Sequence, residues 1–267
     1  MPARLRYASV TAEVVCMRYR APASYQSRPP HPPSPAAVKG ALARAAAEVG
    51  GEGAWLAILK GGAWCTYSIV EPLSGVTLLT SRLLPPEQRR VKGLGVVSAD
   101  PVRRGFRRPS NVFPVGEYLG GALRLTVVYD PGTVPEELII KSLLGVRVLG
   151  DNDSLVAPKA TTLDAGQARI LEAGSGGAVV TNHVFRLRDA SPVEGFWILA
   201  KLPTGLGPRG LRDAVRVERP VFEGVVIPAR RLGEVLEASS VKARLAGGVA
   251  VRAGGDTLIV PAEVVGA

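Results

Sequence analysis

The chain has 267 residues, a formal net charge of +10 and a sequence pI near 10.1, with 46% hydrophobic and 21% charged residues. That length supports one large domain or two small ones, and the composition is that of a soluble globular protein rather than a fibrous or disordered one. No apolar run reaches the length of a membrane span, and Arg4, Arg6 and Glu13 interrupt the N-terminus where a signal peptide would be apolar, so a cytoplasmic protein is expected.

The charge points to an anionic partner, nucleic acid first and a membrane surface second. No basic amphipathic helix supports the membrane, and none is expected as a partner. The two cysteines, Cys16 and Cys65, each lie in an apolar, strand-like run and read as small buried hydrophobes. No cysteine–histidine cluster has zinc spacing, and no metal or cofactor is called for.

Leu5 to Tyr19 reads as a strand, with Val10, Ala12, Val14 and Cys16 alternating against Thr11, Glu13, Val15 and Met17. A loop containing Pro29, Pro30, Pro32 and Pro33 runs into a helix with Ser34 as N-cap and Pro35 at its first position. Val38, Leu42, Ala45 and Val49 form its apolar stripe. Gly40 and Ala41 offer a small surface for close packing on a sheet, and Gly50-Gly51 can stop the helix. Ala54 to Lys60 reads as a second strand, turned by Gly61-Gly62 into a third at Ala63 to Val70. Val76 to Leu84 also reads as extended.

A basic insertion follows, about Pro85 to Gly121. Ala122 to Tyr129 returns as a strand. Thr133 is the expected cap of a second helix that has Pro135, Glu136 and Glu137 at its start and Gly145 at its end. Val146 to Leu149 reads as a short strand, turned by Gly150 to Asp153. Without the insertion this is the β-α-β-β-α-β order of a ferredoxin-like, RNA-recognition-motif-like α+β fold. After about residue 160 the chain reads as a smaller, β-rich C-terminal lobe, with Ala229 to Ala238 as its best helix. The expected division is 1–160 and 161–267. No internal repeat stands out, and a degenerate second ferredoxin-like half is left open.

Three stretches suit an RNA backbone. Between Arg82 and Arg108 stand Arg82, Arg89, Arg90, Lys92, Arg103, Arg104, Arg107 and Arg108 against Glu87 and Asp100, a net +6 of the chain's +10. Gly93, Gly95, Gly105 and several prolines disfavour helix there, so a protruding basic β-arm is expected. It would hold phosphates by charge and stack arginines on unpaired bases. The turn Arg147-Val-Leu-Gly-Asp-Asn-Asp-Ser154 joins two predicted strands. The loop Thr204-Gly-Leu-Gly-Pro-Arg-Gly210 would let backbone N–H groups approach phosphate, through Gly205, Gly207, Arg209 and Gly210. It lacks the ending of a Walker loop. Acid–base catalysis has one candidate cluster, His31 with Tyr25 and Lys39. No catalytic residue is assigned.

Two of these stretches carry a resemblance. Pro33-Ser-Pro-Ala-Ala-Val-Lys-Gly-Ala-Leu42 is similar to the Pro-Pro-Pro-Thr-Thr-Leu-Ile-Gly-Ala-Leu segment of the Cas-five family of CRISPR-associated RAMP proteins. Ala36, Ala37 and Lys39 depart from that pattern. Residues 147–154 resemble the family's Arg-Leu-Gly-Ser-Lys-Glu-Ser segment at Leu149, Gly150 and Ser154, with Arg147 one position from the family's arginine. The resemblance covers roughly the first 160 residues. It implies a ferredoxin-like RAMP domain with a thumb-like hairpin between the third strand and the second helix. It also implies a non-catalytic subunit of an archaeal-type, type I Cascade complex that caps the 5′ handle of the guide RNA (crRNA) in antiviral defence. The implied partners are the crRNA 5′ handle, a backbone RAMP subunit and the large subunit. Arg28 and Lys39 join the implied RNA-binding set. The alternatives are a RAMP endoribonuclease that processes precursor crRNA, a backbone RAMP subunit, and an unrelated basic RNA-binding protein.

Overall fold

The computed structural model describes residues 5–18, 32–51, 53–60, 62–82, 90–91, 95–96, 111–150, 154–205 and 221–266. Strand β1 (Arg6–Arg18) is the spine of a nine-stranded sheet. Along one edge it pairs antiparallel with β7 (Ala122–Tyr129), from Arg6↔Tyr129 to Glu13↔Ala122, and then with β6 (Asn111–Leu119). Along the other it takes β9 (Asp164–Gln167) and then β8 (Leu155–Pro158). β2 (Trp64–Glu71) closes the far side of β7. The run β8-β1-β7-β2, with the first and third core strands central and all neighbours antiparallel, is the ferredoxin-like arrangement.

Helices α1 (Pro35–Gly50), α2 (Ala54–Lys60) and α3 (Glu136–Gly145) cover one face of this sheet. α1 starts as its sequence directs: the Ser34 hydroxyl accepts from the Ala37 N–H at 3.1 Å, and Pro35 occupies the first turn. Val38, Leu42, Ala45 and Ala46 are buried against α3 residues Ile139 and Leu143 and the core strands. Gly51 stops the helix at φ +73.

Several sequence expectations are corrected. Ala54 to Lys60 is a helix, because alanine and leucine favour helix and Trp55, Ile58 and Leu59 meet the core at helical spacing. Gly62 therefore leads from a helix into β2, not through a hairpin. Val49, expected in the buried stripe, is exposed in the last turn of α1. Gly40 does not press on the sheet: it is exposed, and nothing lies within 4 Å of a Cβ built there. A bulge in β1 between Val14 and Cys16 swaps the alternation, so Met17 is buried and Cys16 half-buried. Thr133 donates its hydroxyl to the Asp130 carbonyl and does not cap α3, which begins directly after Pro135. Val146 to Leu149 is extended but unpaired in any ladder, and the fourth core strand forms after the turn, at β8.

The C-terminal part adds β10 (Arg169–Ala173), β11 (Ala178–Thr181), β12 (Phe185–Arg186), β13 (Ala190–Gly195), β14 (Ile198–Gly205), β15 (Val221–Ile227), β16 (Ala229–Leu232), β17 (Val235–Ala238), β18 (Val241–Leu245), β19 (Gly248–Ala253), β20 (Asp256–Pro261) and a final turn of helix, α4 (Ala262–Val265). Ala229 to Ala238 is a β-hairpin rather than the expected helix, with Gly233 at φ +59 in its corner. The open edge of β3 (Leu73–Arg82) supplies the competing interaction, pairing Val235 with Ser74 and Leu236 with Leu73. β14 packs on α1, so Ala200 and Leu202 join the first core.

On the other face, Tyr7, Trp64 and Val128 are buried against Val249, Val251, Leu258 and Val260 of β19 and β20. Polar contacts seal this junction. Arg186 binds Asp189 through two nitrogens at 2.6 and 2.9 Å, reaches Glu263 at 2.8 Å and stands 5.4 Å from the Trp64 ring. His183 is buried between Thr126, 3.1 Å from its Nε2, and Asn182, 2.8 Å from its Nδ1. Burial lowers its pKa to about 4, with the Arg124 charge acting the same way and Asp256 opposing.

The unfolded chain takes up a proton on His183 near pH 6.5, whereas the folded chain resists it until about pH 4. Stability from this site is therefore complete above pH 6.5 and declines as pH falls towards 4. Denaturant titrations across that window should show a shallower pH slope in His183→Gln than in the wild type. An unchanged slope would contradict a buried neutral histidine.

Candidate nucleic-acid interface

Strands β2 and β7 do not end at the sheet. β2 continues past Pro72 into β3, and β6 returns through Gly120 and Gly121 into β7. β3 and β6 pair from Ser74↔Leu119 to Arg82↔Asn111, so one ribbon grows out of the ferredoxin core. Its root is held on both sides: β1 pairs with β6 through Cys16↔Leu119 to Arg18↔Glu117, and β17 pairs with β3. The Gly75 N–H also donates to the Glu234 carbonyl at 2.8 Å.

The bend of the ribbon needs its glycines. Gly120 and Gly121 have φ +71 and +85, a region costly for other residues. A Cβ on Gly121 would collide with the Pro72 carbonyl and lie 2.8 Å from the Leu73 Cδ2. The Gly121 carbonyl in turn accepts from the Val14 N–H at 2.9 Å, tying the bend to β1.

The chain leaves the paired ribbon at Arg82 and re-enters it at the cross-strand partner Asn111. The segment between carries most of the net charge read from the sequence. In the body, several basic groups are matched by carboxylates. Arg6 pairs with Glu136 at 2.8 Å, Arg124 with Asp256 at 3.0 Å, Lys141 with Glu137 at 2.6 Å and Lys159 with Glu13 at 2.6 Å. Arg188 bridges Glu223 and Glu263 at 2.9 and 3.0 Å. In the sequence, positive charge is densest between Arg82 and Arg108.

The open sheet face that RNA-recognition motifs use for base stacking is not free over its first half here. Tyr7, Trp64 and Val128 lie under β19 and β20. The face stays exposed only towards the arm, at Glu13, Val15, Leu119 and Leu155.

Of the residues singled out from the sequence, Arg82 closes β3, and Arg90 sits in β4 (Arg90–Val91) opposite Val96 of β5 (Gly95–Val96). Lys39 is half-buried on α1, near enough to Cys65 for its charge to act on that buried thiol, whose pKa burial pushes up to about 12. Arg147 is exposed and donates to the Leu144 carbonyl at 2.9 Å, satisfying the C-terminal end of α3. Gly205 is the last residue of β14, opposite Val221. These residues occupy separate places: the arm, the helix layer and the end of β14. Tyr25, Arg28, His31, Arg89, Lys92, Arg103, Arg104, Arg107, Arg108, Gly207, Arg209 and Gly210 lie outside the described residues. Among the described residues, no group of three or more His, Cys, Asp or Glu is placed to hold a metal ion, and no helix is long and apolar enough to cross a membrane.

One pair carried no signal in the sequence. Phe196, inside an apolar run, is exposed, and Arg230 lies 5.0 Å from its ring centroid.

No protein-family model matches the chain, and no curated protein matches it in sequence. Its structure is similar to that of a CRISPR protein from Archaeoglobus fulgidus, with a TM-score of 0.53 and 17% identity over 96% of this chain and 99% of that one. At that identity the likeness is one of fold, and it extends over nearly the whole of both chains. Lower similarity is found to the Csm3–Csm4 subcomplex of the type III-A CRISPR-Cas interference complex, with a TM-score of 0.34, 9% identity and coverage of 94% and 99%. A Csm1–Csm4 cassette in complex with one ATP gives a TM-score of 0.29 and 14% identity over 91% and 98%. Scores that low do not bear on the fold. The fold class expected from the sequence, a ferredoxin-like α+β core followed by a β-rich C-terminal part, is the fold the chain has.

Gly121→Ala should cost roughly 1–3 kcal/mol or more, from strained φ and overpacking together. Denaturant unfolding measures this. A variant as stable as the wild type would show that the bend does not depend on the glycine.

Proposed function

We propose that the protein is a non-catalytic guide-RNA subunit of a CRISPR surveillance complex. In this reading it holds the 5′ handle of the crRNA and docks against the neighbouring backbone RAMP subunit and the large subunit. The observation that carries the reading is the arm. A β-ribbon braced on both edges leads into a segment whose sequence carries a net +6 of the chain's +10. Phosphate binding by such a segment needs charge and reach rather than a shaped pocket, because counterion release drives it. Supporting this, the fold is shared with a CRISPR protein, and residues 33–42 and 147–154 resemble the Cas-five family, whose type I Cascade members cap the handle.

The absence of catalysis is part of the proposal. His183 is buried and held neutral far from its ordinary range, so it serves the fold and cannot reach a scissile phosphate. The remaining acid–base candidate is His31, with Tyr25 and Lys39.

Binding of purified protein to single-stranded repeat RNA should be strongly salt-dependent. Neutralising Arg103, Arg104, Arg107 and Arg108 to alanine together should weaken it and flatten the slope of log affinity against log salt by about 0.7 per lost phosphate contact. Wild-type affinity and slope in that variant would sink the arm as the RNA grip. The same RNA should stay intact on incubation with and without divalent metal. Site-specific cleavage that disappears in His31→Ala would replace this reading with the processing endoribonuclease.

A further inference from the structure

Phe196 is an exposed aromatic side chain, with 57% of its surface accessible. Among the residues whose burial is described, the other aromatic side chains are buried or half-buried. Its position is fixed from both sides. Gly195 closes β13 opposite Val241 at φ +110, where any side chain would collide with the Ser240 carbonyl. Three residues after Gly195, Ile198 opens β14 and pairs with Ile227. Between them Trp197 packs onto the core formed by Phe185, Val226 and Val241, leaving Phe196 turned outward.

The ring is not bare. The Arg230 guanidinium lies over it, 5.0 Å from the centroid. Arg230 stands on β16, the edge strand whose partner β17 pairs with β3 at the root of the arm. The Phe196–Arg230 pair is therefore two strands away from the root of the basic ribbon, on a surface built of paired strands.

A single exposed phenyl ring is ordinary on a protein surface. A ring held rigidly beside an arginine is more specific. Aromatic faces stack on any unpaired base, and the guanidinium adds a cation–π contact and a phosphate donor. A protein hot spot would set the ring in the middle of a dry apolar patch. Val193, Leu199 and Leu232 are also exposed near the pair, but charge borders the ring directly: the Arg230 guanidinium lies over it, Glu194 is exposed two residues before it, and Glu237 is the cross-strand partner of Arg230. We propose that Phe196 and Arg230 form a stacking platform for one unpaired nucleobase of a single-stranded RNA that passes the root of the arm. The platform rests on the RNA-binding reading above and adds to it a contact that is not electrostatic.

The test titrates the full chain with a single-stranded oligoribonucleotide of about twelve nucleotides carrying a fluorescent aminopurine, a length within the usual range of such sites. Wild type, Phe196→Leu, Phe196→Trp and Arg230→Ala are compared at several salt concentrations, with thermal melting as a control on folding. Phe196→Leu should melt normally, weaken binding roughly 5- to 100-fold at every salt concentration without changing the salt slope, and lose the stacking quench of the aminopurine. Phe196→Trp should retain affinity and quench, and Arg230→Ala should lower both. Wild-type affinity and quench in Phe196→Leu would overturn the platform while leaving the arm in place. Failure of the wild-type protein to bind any RNA would overturn the RNA-binding reading itself. A Phe196→Leu protein that binds RNA normally but no longer joins its partner subunits would identify a protein contact, and the platform would again fall.

Discussion

The two-sided pairing of β1 is the constraint on which the rest of the structure depends. One edge takes β7 and then β6, and the other takes β9 and then β8. Over its first half both faces are buried as well, with Ala8, Val10 and Ala12 under the helices and Tyr7 under the C-terminal sheets. A one-residue slip would misplace every one of these side chains, so the register is strongly specified. Because β1 runs on beyond β7 to Arg18, it also sets the direction in which the ribbon leaves the core. The β3–β6 ribbon is an extension of the sheet.

In the proposed function the fold would hold RNA without using the covered half of its sheet face. The C-terminal part covers the half of the face that carries Tyr7 and Trp64 and seals it with Arg186, Asp189, Glu223 and Glu263. Arg186 and Asp189 are the buried members, and their burial is tolerated because the two are matched and doubly hydrogen-bonded. In the proposed function, the arm supplies nonspecific grip on phosphates, and Phe196 with Arg230 supplies a fixed point for a base.

Much of this was legible in the sequence where local chemistry decides the outcome. Ser34-Pro35 started a helix, Asp130-Pro131-Gly132 ended a strand, and glycines and arginines between 82 and 108 marked an insertion within a β-α-β-β-α-β order. The failures fall where tertiary contacts outweigh local preference. Ala54 to Lys60 is a short apolar run that periodicity alone cannot assign. Ala229 to Ala238 has a helix-like pattern, but the open edge of β3 drew it into a hairpin around Gly233. The bulge that buries Met17 in place of Cys16 depends on β8, a strand far along the chain. Phe196 could not be distinguished within Phe-Trp-Ile-Leu-Ala, since only the turn at Gly195 decides that Trp197 faces in and Phe196 out.

The central claim is that RNA affinity resides in the arm and that the arm is separable from the body. Arg82 and Asn111 are cross-strand partners, so an Asn-Gly turn can replace residues 83–110 and close the β3–β6 ribbon without disturbing its root. The measurement is RNA affinity and melting temperature of that shortened protein against the full chain. The account predicts an unchanged melt with most of the RNA affinity and salt dependence gone. A shortened protein that melts like the full chain and binds RNA equally well would contradict it.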